Sequence, residues 1–203
     1  MNPATMVIGV DEVGYGCSAG PLFVCAFAAP DASWTLEGLG DSKKISKKTR
    51  ERLYSVLTQE YLTRFVLVSV SVEEINRDGL GKCHHAAMAR AAEMLIECLG
   101  KPKRLIFDGG YSYTEGGEGI PKADSLFASV SAASVLAKVA RDHYVVSTLH
   151  PKYPEYGFDV HKGYWTDKHK EAVVRYGVTP AHRTGYRNIQ ELLPQKPVAR
   201  FTR

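Results

Sequence analysis

Four carboxylates stand out because of where they fall. Asp11 and Glu12 end the apolar run Met6–Val10 (MVIGV), Asp108 ends Arg104–Phe107 (RLIF), and Asp124 precedes the Ala-rich stretch that begins at Ser125. Acids that follow apolar segments point toward a crevice and not toward a polar helix face. Gathered in such a crevice they repel one another, which costs stability unless a cation neutralises them. Hard oxygen donors suit magnesium or manganese. Two such ions about 4 Å apart can activate a water and stabilise the leaving oxygen of a phosphodiester. Taken singly, each acid also has a plainer reading, because Asp and Glu after a strand form turns and cap helices. As a set, they suggest metal-dependent phosphoryl transfer.

The elements that must position them are legible as hydrophobic patterns. Met6–Val10 reads as a central strand, Gly14, Gly16 and Gly20 as a tight turn, and Leu22–Ala29 as a second apolar strand. Ser46–Glu60 is a predicted helix, capped by Ser46 and carrying Leu53, Val56 and Leu57 on one face. Arg64–Val72 alternates as a strand, and Cys83–Leu99 is a helix closed by Gly100. Arg104–Phe107 is a strand, Tyr111–Pro121 a Gly-rich exposed loop, and Ser125–Leu149 one long helical pattern. From Pro151 onward the pattern weakens into a mixture of aromatic and basic residues, a candidate C-terminal subregion. Strands alternating with helices predict an α/β layer with a partly parallel sheet, whose ligands sit at strand ends. Asp11 and Asp108 occupy that kind of position.

Composition narrows the field. The 203 residues fit one large domain, and 44% hydrophobic with 24% charged residues is ordinary globular usage. The net charge of +4 permits a polyanionic partner without requiring one. Cys17, Cys25, Cys83 and Cys98 form no C-x-x-C pair, so free thiols in a reducing cytoplasm are expected. Pro21–Pro30 is too short to span a bilayer. Although it carries an A-x-A pattern, the acidic flank before it is wrong for export, so it reads as a buried strand. No membrane partner is expected.

The acids and glycines lie inside longer strings. Val10–Leu22 (VDEVGYGCSAGPL) resembles the opening motif of the ribonuclease HII family, the type 2 ribonucleases H. Asp41-Ser42-Lys43-Lys44 is similar to the family's DSKK segment, and Phe107-Asp108-Gly109 to its second acidic strand end. Ala123-Asp124-Ser125 with Ser131–Asp142 (SAASVLAKVARD) resembles its third block. His161–Thr166 (HKGYWT), Gly177 and Pro180–Arg183 (PAHR) resemble its C-terminal block. The blocks follow family order and cover nearly the whole chain.

The resemblance implies a single domain over residues 1–203 with a ribonuclease H-like α/β fold. That fold is a mixed five-stranded sheet flanked by helices, with a small helical substrate-binding part from about 150 to 203. It implies that Asp11, Glu12, Asp108 and Asp124 are catalytic and hold Mg2+ or Mn2+. The implied substrate is an RNA–DNA hybrid, or duplex DNA containing ribonucleotides. It would be cut 5′ of the ribonucleotide, leaving a 3′-hydroxyl and a 5′-phosphate, by a monomer in the cytoplasm.

Each substrate-facing block has its own chemistry. Glycines in Gly14-Tyr15-Gly16 let backbone approach a substrate, or simply make a turn. By resemblance this loop reads the 2′-hydroxyl, which tells RNA from DNA. The family usually places Arg at its middle position, where this chain has Tyr15. Tyr164, beside Lys162 and Trp165, suits stacking with phosphate nearby, and by resemblance lies on the deoxyribose 3′ of the ribonucleotide. Lys43 and Lys44 open a basic run that is either a solvated helix face or, with the family match, a backbone-phosphate contact. His161, Lys162, His182 and Arg183 form a second phosphate-facing group. Lys138 and Arg141 either reach phosphate or pair with Asp142, which reads as structural. His84-His85, at a helix start with no third ligand at metal spacing, reads as capping or surface. Two rival readings stay open. One is a ribonuclease H-like nuclease with relaxed junction specificity, suggested by Tyr15. The other is a nucleic-acid-binding homologue without catalysis, against which the four acids argue.

Overall fold

Alternating apolar residues lay down five strands in one sheet. The computed structural model describes residues 1–40 and 45–193. Asp41-Ser42-Lys43-Lys44, including the two lysines expected at phosphate, and residues 194–203 of the C-terminal part lie outside the described residues. Val7–Val13 (β1) and Leu22–Ala29 (β2) pair antiparallel across the glycine turn, from Val7 opposite Ala29 to Val13 opposite Phe23. β2 also pairs antiparallel with Phe65–Val70 (β3). On its other edge β1 runs parallel to Arg104–Asp108 (β4), which runs parallel to Gly117–Ile120 (β5). The order β3-β2-β1-β4-β5 is the mixed five-stranded sheet that the family resemblance implies.

Helices cover both faces. Ile8, Val10, Leu22, Val24 and Ala26 pack against Leu80–Leu99 (α3), which turns Ala87, Met88, Ala91 and Leu95 to the sheet. Cys25 and Phe27 meet Leu53 and Leu57 of Lys47–Glu60 (α1), with Ala132, Ala133, Val135 and Leu136 of Ala128–Tyr144 (α4). Burying each large aliphatic or aromatic side chain stabilises the fold by about 1.5–3 kcal/mol. β2 is buried at every residue, as its unbroken apolar run implies. A separate core of Val145, Leu149, Tyr156, Phe158, Ala172, Val173 and Ala181 gathers the C-terminal helices Phe158–His161 (α5) and Asp167–Tyr176 (α6). Ala19 from the β1–β2 turn inserts into that core and ties it to the sheet.

Three segments differ from expectation. The stretch expected as one strand over 64–72 stops at Val70. There Ser71 caps a short helix, Val72–Asp78 (α2), through a capping box with Glu74. The stretch Tyr111–Pro121, expected to be loop throughout, contains β5. Its glycines hide the strand pattern, yet a Cβ on Gly119 would lie 2.4 Å from the Tyr111 backbone, so the chain can close there only on glycine. The long helical pattern Ser125–Leu149 is broken into a 3-10 turn at Ala123–Ser125, α4, and a π-helical turn at Val145–Leu149. Among the described residues no helix is long and apolar enough to cross a membrane.

The seat of α4 on β1 sets the distance between the helix and the strand ends that carry the acids. A Cβ on Gly9 would lie 2.3 Å from the Val130 backbone nitrogen, so helix and strand are in direct backbone contact. Gly9→Ala must therefore push α4 off the sheet. Overpacking of this kind costs about 1–3 kcal/mol, or about 2–12 °C of Tm in a chain of this size. Thermal melting followed by circular dichroism checks it; an unchanged Tm would mean that the helix is not seated on the strand.

Candidate active site

Strand parity sorts the acids before any side chain is considered. Ile8 and Val10 point to the α3 face, so Asp11 points to α4 and Glu12 to α3. The parallel register sets Val10 beside Phe107, which makes Asp11 and Asp108 the next residues along each strand, at their carboxyl ends. On β4, Ile106 faces Val130 of α4, and Asp108 shares its parity. Asp124 arrives from the 3-10 turn just before α4, and the Ala123 amide donates to Asp108 Oδ1 at 2.7 Å.

Their electrostatics report crowding. Asp11 is 5% exposed. Burial foremost, then the charges of Glu12 and Asp108, pushes its carboxyl well above the usual range, against a hydrogen bond from Ser134. Asp108 is raised in the same sense by burial, Asp124 and Glu12, partly offset by backbone amides. Each acid leans on a local partner. The Glu12 amide donates to Asp11 Oδ1 at 2.8 Å, and Glu12 Oε2 lies 3.6 Å from His84 Nε2. Among the described residues no three His, Cys, Asp or Glu side chains are drawn close enough to form a ready-made cage. The oxygen-only donor set and mutual repulsion nonetheless fit hard divalent cations, which would relieve that repulsion.

The β1–β2 turn is held from below by two buried guanidinium groups. Gly14 has φ +89°, and a Cβ there would sit 2.3 Å from Arg141 Nε, so only glycine fits. Arg141 donates to the carbonyls of Pro21, Lys162 and Ala19 at 2.9, 2.9 and 3.1 Å. Arg183 donates to Gly20 at 2.9 Å and to Tyr15 at 3.1 Å, and the Tyr186 hydroxyl also bonds to the Tyr15 carbonyl. Both arginines are completely buried. Arg183, expected to face phosphate, and Arg141, left open between phosphate and Asp142, instead bind this chain's own carbonyls and fix the turn.

The histidines are corrected in the same way. His161 donates through Nε2 to the Tyr156 carbonyl at 2.7 Å and accepts from the Gly163 amide at 3.2 Å. His182 Nδ1 accepts from the Thr179 amide at 3.0 Å, and its Nε2 lies 3.2 Å from His169 Nε2, whose Nδ1 reaches the Tyr164 carbonyl at 2.9 Å. Burial lowers His169 and His182 to about 4, so both rings are neutral and serve as packing and hydrogen-bonding pieces. His161 and His182 therefore support Tyr164 and do not face phosphate. Tyr164 itself is 41% exposed, with the Lys138 ammonium 5.7 Å from its ring. Lys138 also pairs with Asp142 at 2.9 Å, the structural role expected of that acid. Lys162 turns its ammonium to the Asp159 carbonyl.

His84, expected as a capping or surface residue, instead stands at the acids. Positions 87, 88 and 91, three, four and seven residues on, are all core, so helical spacing turns residue 84 to the sheet. It stands beside Glu12, with Tyr15 and Tyr113 edge-on to its ring at 4.9 and 5.3 Å. Ser134, inside the third family block but not singled out there, contacts Asp11, and Tyr186, which carries no signal in the sequence, contacts the turn.

Comparison with known proteins shows the family and the fold. The family model for ribonuclease HII matches residues 8–189. The ribonuclease HII of Cupriavidus pinatubonensis is 39% identical over 193 residues, covering 94% of this chain and 88% of that protein. That of Desulforamulus reducens is 39% identical over 191 residues, 93% of each. The crystal structure of ribonuclease H2 from Pyrococcus horikoshii superposes with a TM-score of 0.69 at 25% identity, covering 92% of this chain and 96% of that one. With a family match over most of its length and these relatives, the chain belongs to the ribonuclease HII family.

Proposed function

We propose that this chain is a divalent-metal-dependent endoribonuclease. It hydrolyses the RNA strand of RNA–DNA hybrids and cuts 5′ of ribonucleotides embedded in duplex DNA, leaving a 3′-hydroxyl and a 5′-phosphate, as a monomer in the cytoplasm. The observation that carries this reading is the convergence of Asp11 and Asp108 at adjacent strand ends, with Asp124 and Glu12 beside them, where burial foremost and then neighbouring carboxylates raise both Asp11 and Asp108. Asp11 and Asp108 would be shared between two ions, and Glu12 and Asp124 would each complete one site. Bound there, Mg2+ or Mn2+ supplies an acidified water and neutralises charge at the scissile phosphate.

The chain's own residues supply recognition. The Gly14 carbonyl accepts from the Cys17 amide, and the Tyr15 carbonyl is taken by Arg183 and Tyr186. With the turn held in this way, the amide and carbonyl groups of Gly14-Tyr15-Gly16 read the 2′-hydroxyl. Tyr164 lays its ring on the deoxyribose 3′ of the ribonucleotide, with Lys138 close enough to meet phosphate. The helices after residue 150 act as the substrate-binding part. Tyr15 favours a second reading, relaxed junction specificity, because a guanidinium at that position would grip phosphate and a phenol does not.

The test is cleavage of labelled duplexes carrying one, four or many ribonucleotides, with Mg2+ or Mn2+, by wild type and Asp108→Asn. The first reading expects a cut 5′ of a lone ribonucleotide. Loss of an inner ligand should cost more than the 10–100-fold typical of outer-shell partners. Cutting of long hybrids alone supports the relaxed reading, and no cutting of either leaves a binding protein. Arg183→Lys cannot span two carbonyls at once. Steady-state kinetics should show KM for the single-ribonucleotide duplex rising about tenfold, the worth of one charged hydrogen bond; an unchanged KM would remove the turn from recognition.

A further inference from the structure

Beside the acids runs a cleft of about 430 Å3, within the range of about 300–1,000 Å3 usual for ligand sites. Glu12 and Asp108 line one side of it. Its rings include Tyr15 from the turn, His84 from α3, and Tyr111 and Tyr113 from the β4–β5 connection, with small glycine and serine residues among them. Tyr113 is braced edge-on against Phe107 at 5.2 Å, so that wall is anchored in the core. Tyr15 and Tyr111 are 43% and 76% exposed. Large rings left in water along a cleft mark a surface that awaits a partner.

Charge narrows the partner. The rings offer flat neutral faces beside two carboxylates that would hold metal at the scissile phosphate, so the ring-lined part of the cleft suits the uncharged sugar and base of an adjoining nucleotide. Tyr164 is not part of this lining; it stands next to Cys17 and Lys138. The rings beside Glu12 and Asp108 therefore form an aromatic platform separate from Tyr164. Tyr15 in place of the family's usual Arg adds one of the rings.

We propose that this cleft seats the nucleoside immediately 5′ of the scissile phosphate, laid against Tyr15 and Tyr111, as the counterpart of Tyr164 on the 3′ side. The proposal rests on the reading of the chain as a ribonucleotide-cutting nuclease.

The test pairs kinetics with a fluorescent base. A duplex with one ribonucleotide carries 2-aminopurine either immediately 5′ of the scissile phosphate or 3′ of the ribonucleotide. Asp108→Asn protein in Mg2+ reports the probe without cutting, and the otherwise wild-type enzyme gives KM and kcat. The double variant Tyr15→Ala/Tyr111→Ala should raise KM about 5- to 100-fold, the range of lost aromatic stacking, with kcat little changed. It should abolish the response of the 5′ probe and leave that of the 3′ probe, while Tyr15→Phe/Tyr111→Phe restores both. An unchanged KM, or a 5′ probe that never responds to protein, overturns the cleft while leaving the nuclease intact. Failure of the wild type to cut overturns the nuclease reading and the cleft with it.

Discussion

Like charge held in a small volume is the constraint to which the rest of this structure answers. Placing Asp11 beside Asp108, with Glu12 and Asp124 around them, is unfavourable for the folded chain by itself. The fold tolerates it because each acid ends or follows an element that is secured elsewhere. β1 is central, paired on both sides, and covered by α3 and α4. Local donors, the Glu12 and Ala123 amides and Ser134, share the burden. Natural proteins keep such clusters where the strain serves function.

A second set of buried charges supports the first. Arg141 and Arg183 would each be costly in a core, but their hydrogen bonds end on oxygens of the turn, of the C-terminal segment and of Tyr186. They join residues 15–21 to residues 162–186, which are far apart in sequence. The neutral chain His182–His169–Tyr164 continues that link toward the exposed ring. A turn proposed to read substrate through its backbone would need this rigidity, because a loop free to move would lose its discrimination to entropy.

The sheet's central strands, α1, α3 and the positions of the four acids are legible in the sequence, because they follow from apolar runs and their breaks. β5 is not, because its glycines carry no alternation, and α2 hides behind a strand that ends only at Ser71. Arg183 and His161 read as phosphate contacts because sequence gives residue type and not burial; a basic residue in a polar segment looks exposed until the carbonyls it satisfies are seen. His84 escapes for the opposite reason. Its helical spacing to Ala87, Met88 and Ala91 holds the signal, but nothing in sequence alone brings α3 to Glu12.

The acids should repel one another until a cation joins them. Because the folded pKa of Asp11 is raised, the folded chain holds that proton more tightly than the unfolded chain, and ionising it near neutral pH costs stability. Thermal melting of wild type and Asp11→Asn at neutral pH, with and without Mn2+, measures this directly. Burial of this carboxylate, with repulsion from its neighbours, predicts that without metal Asp11→Asn melts higher than wild type. It also predicts that Mn2+ raises the wild-type Tm, by ligand linkage, and raises that of the variant much less. A variant that melts lower than wild type without metal, with the same response to Mn2+, would contradict it.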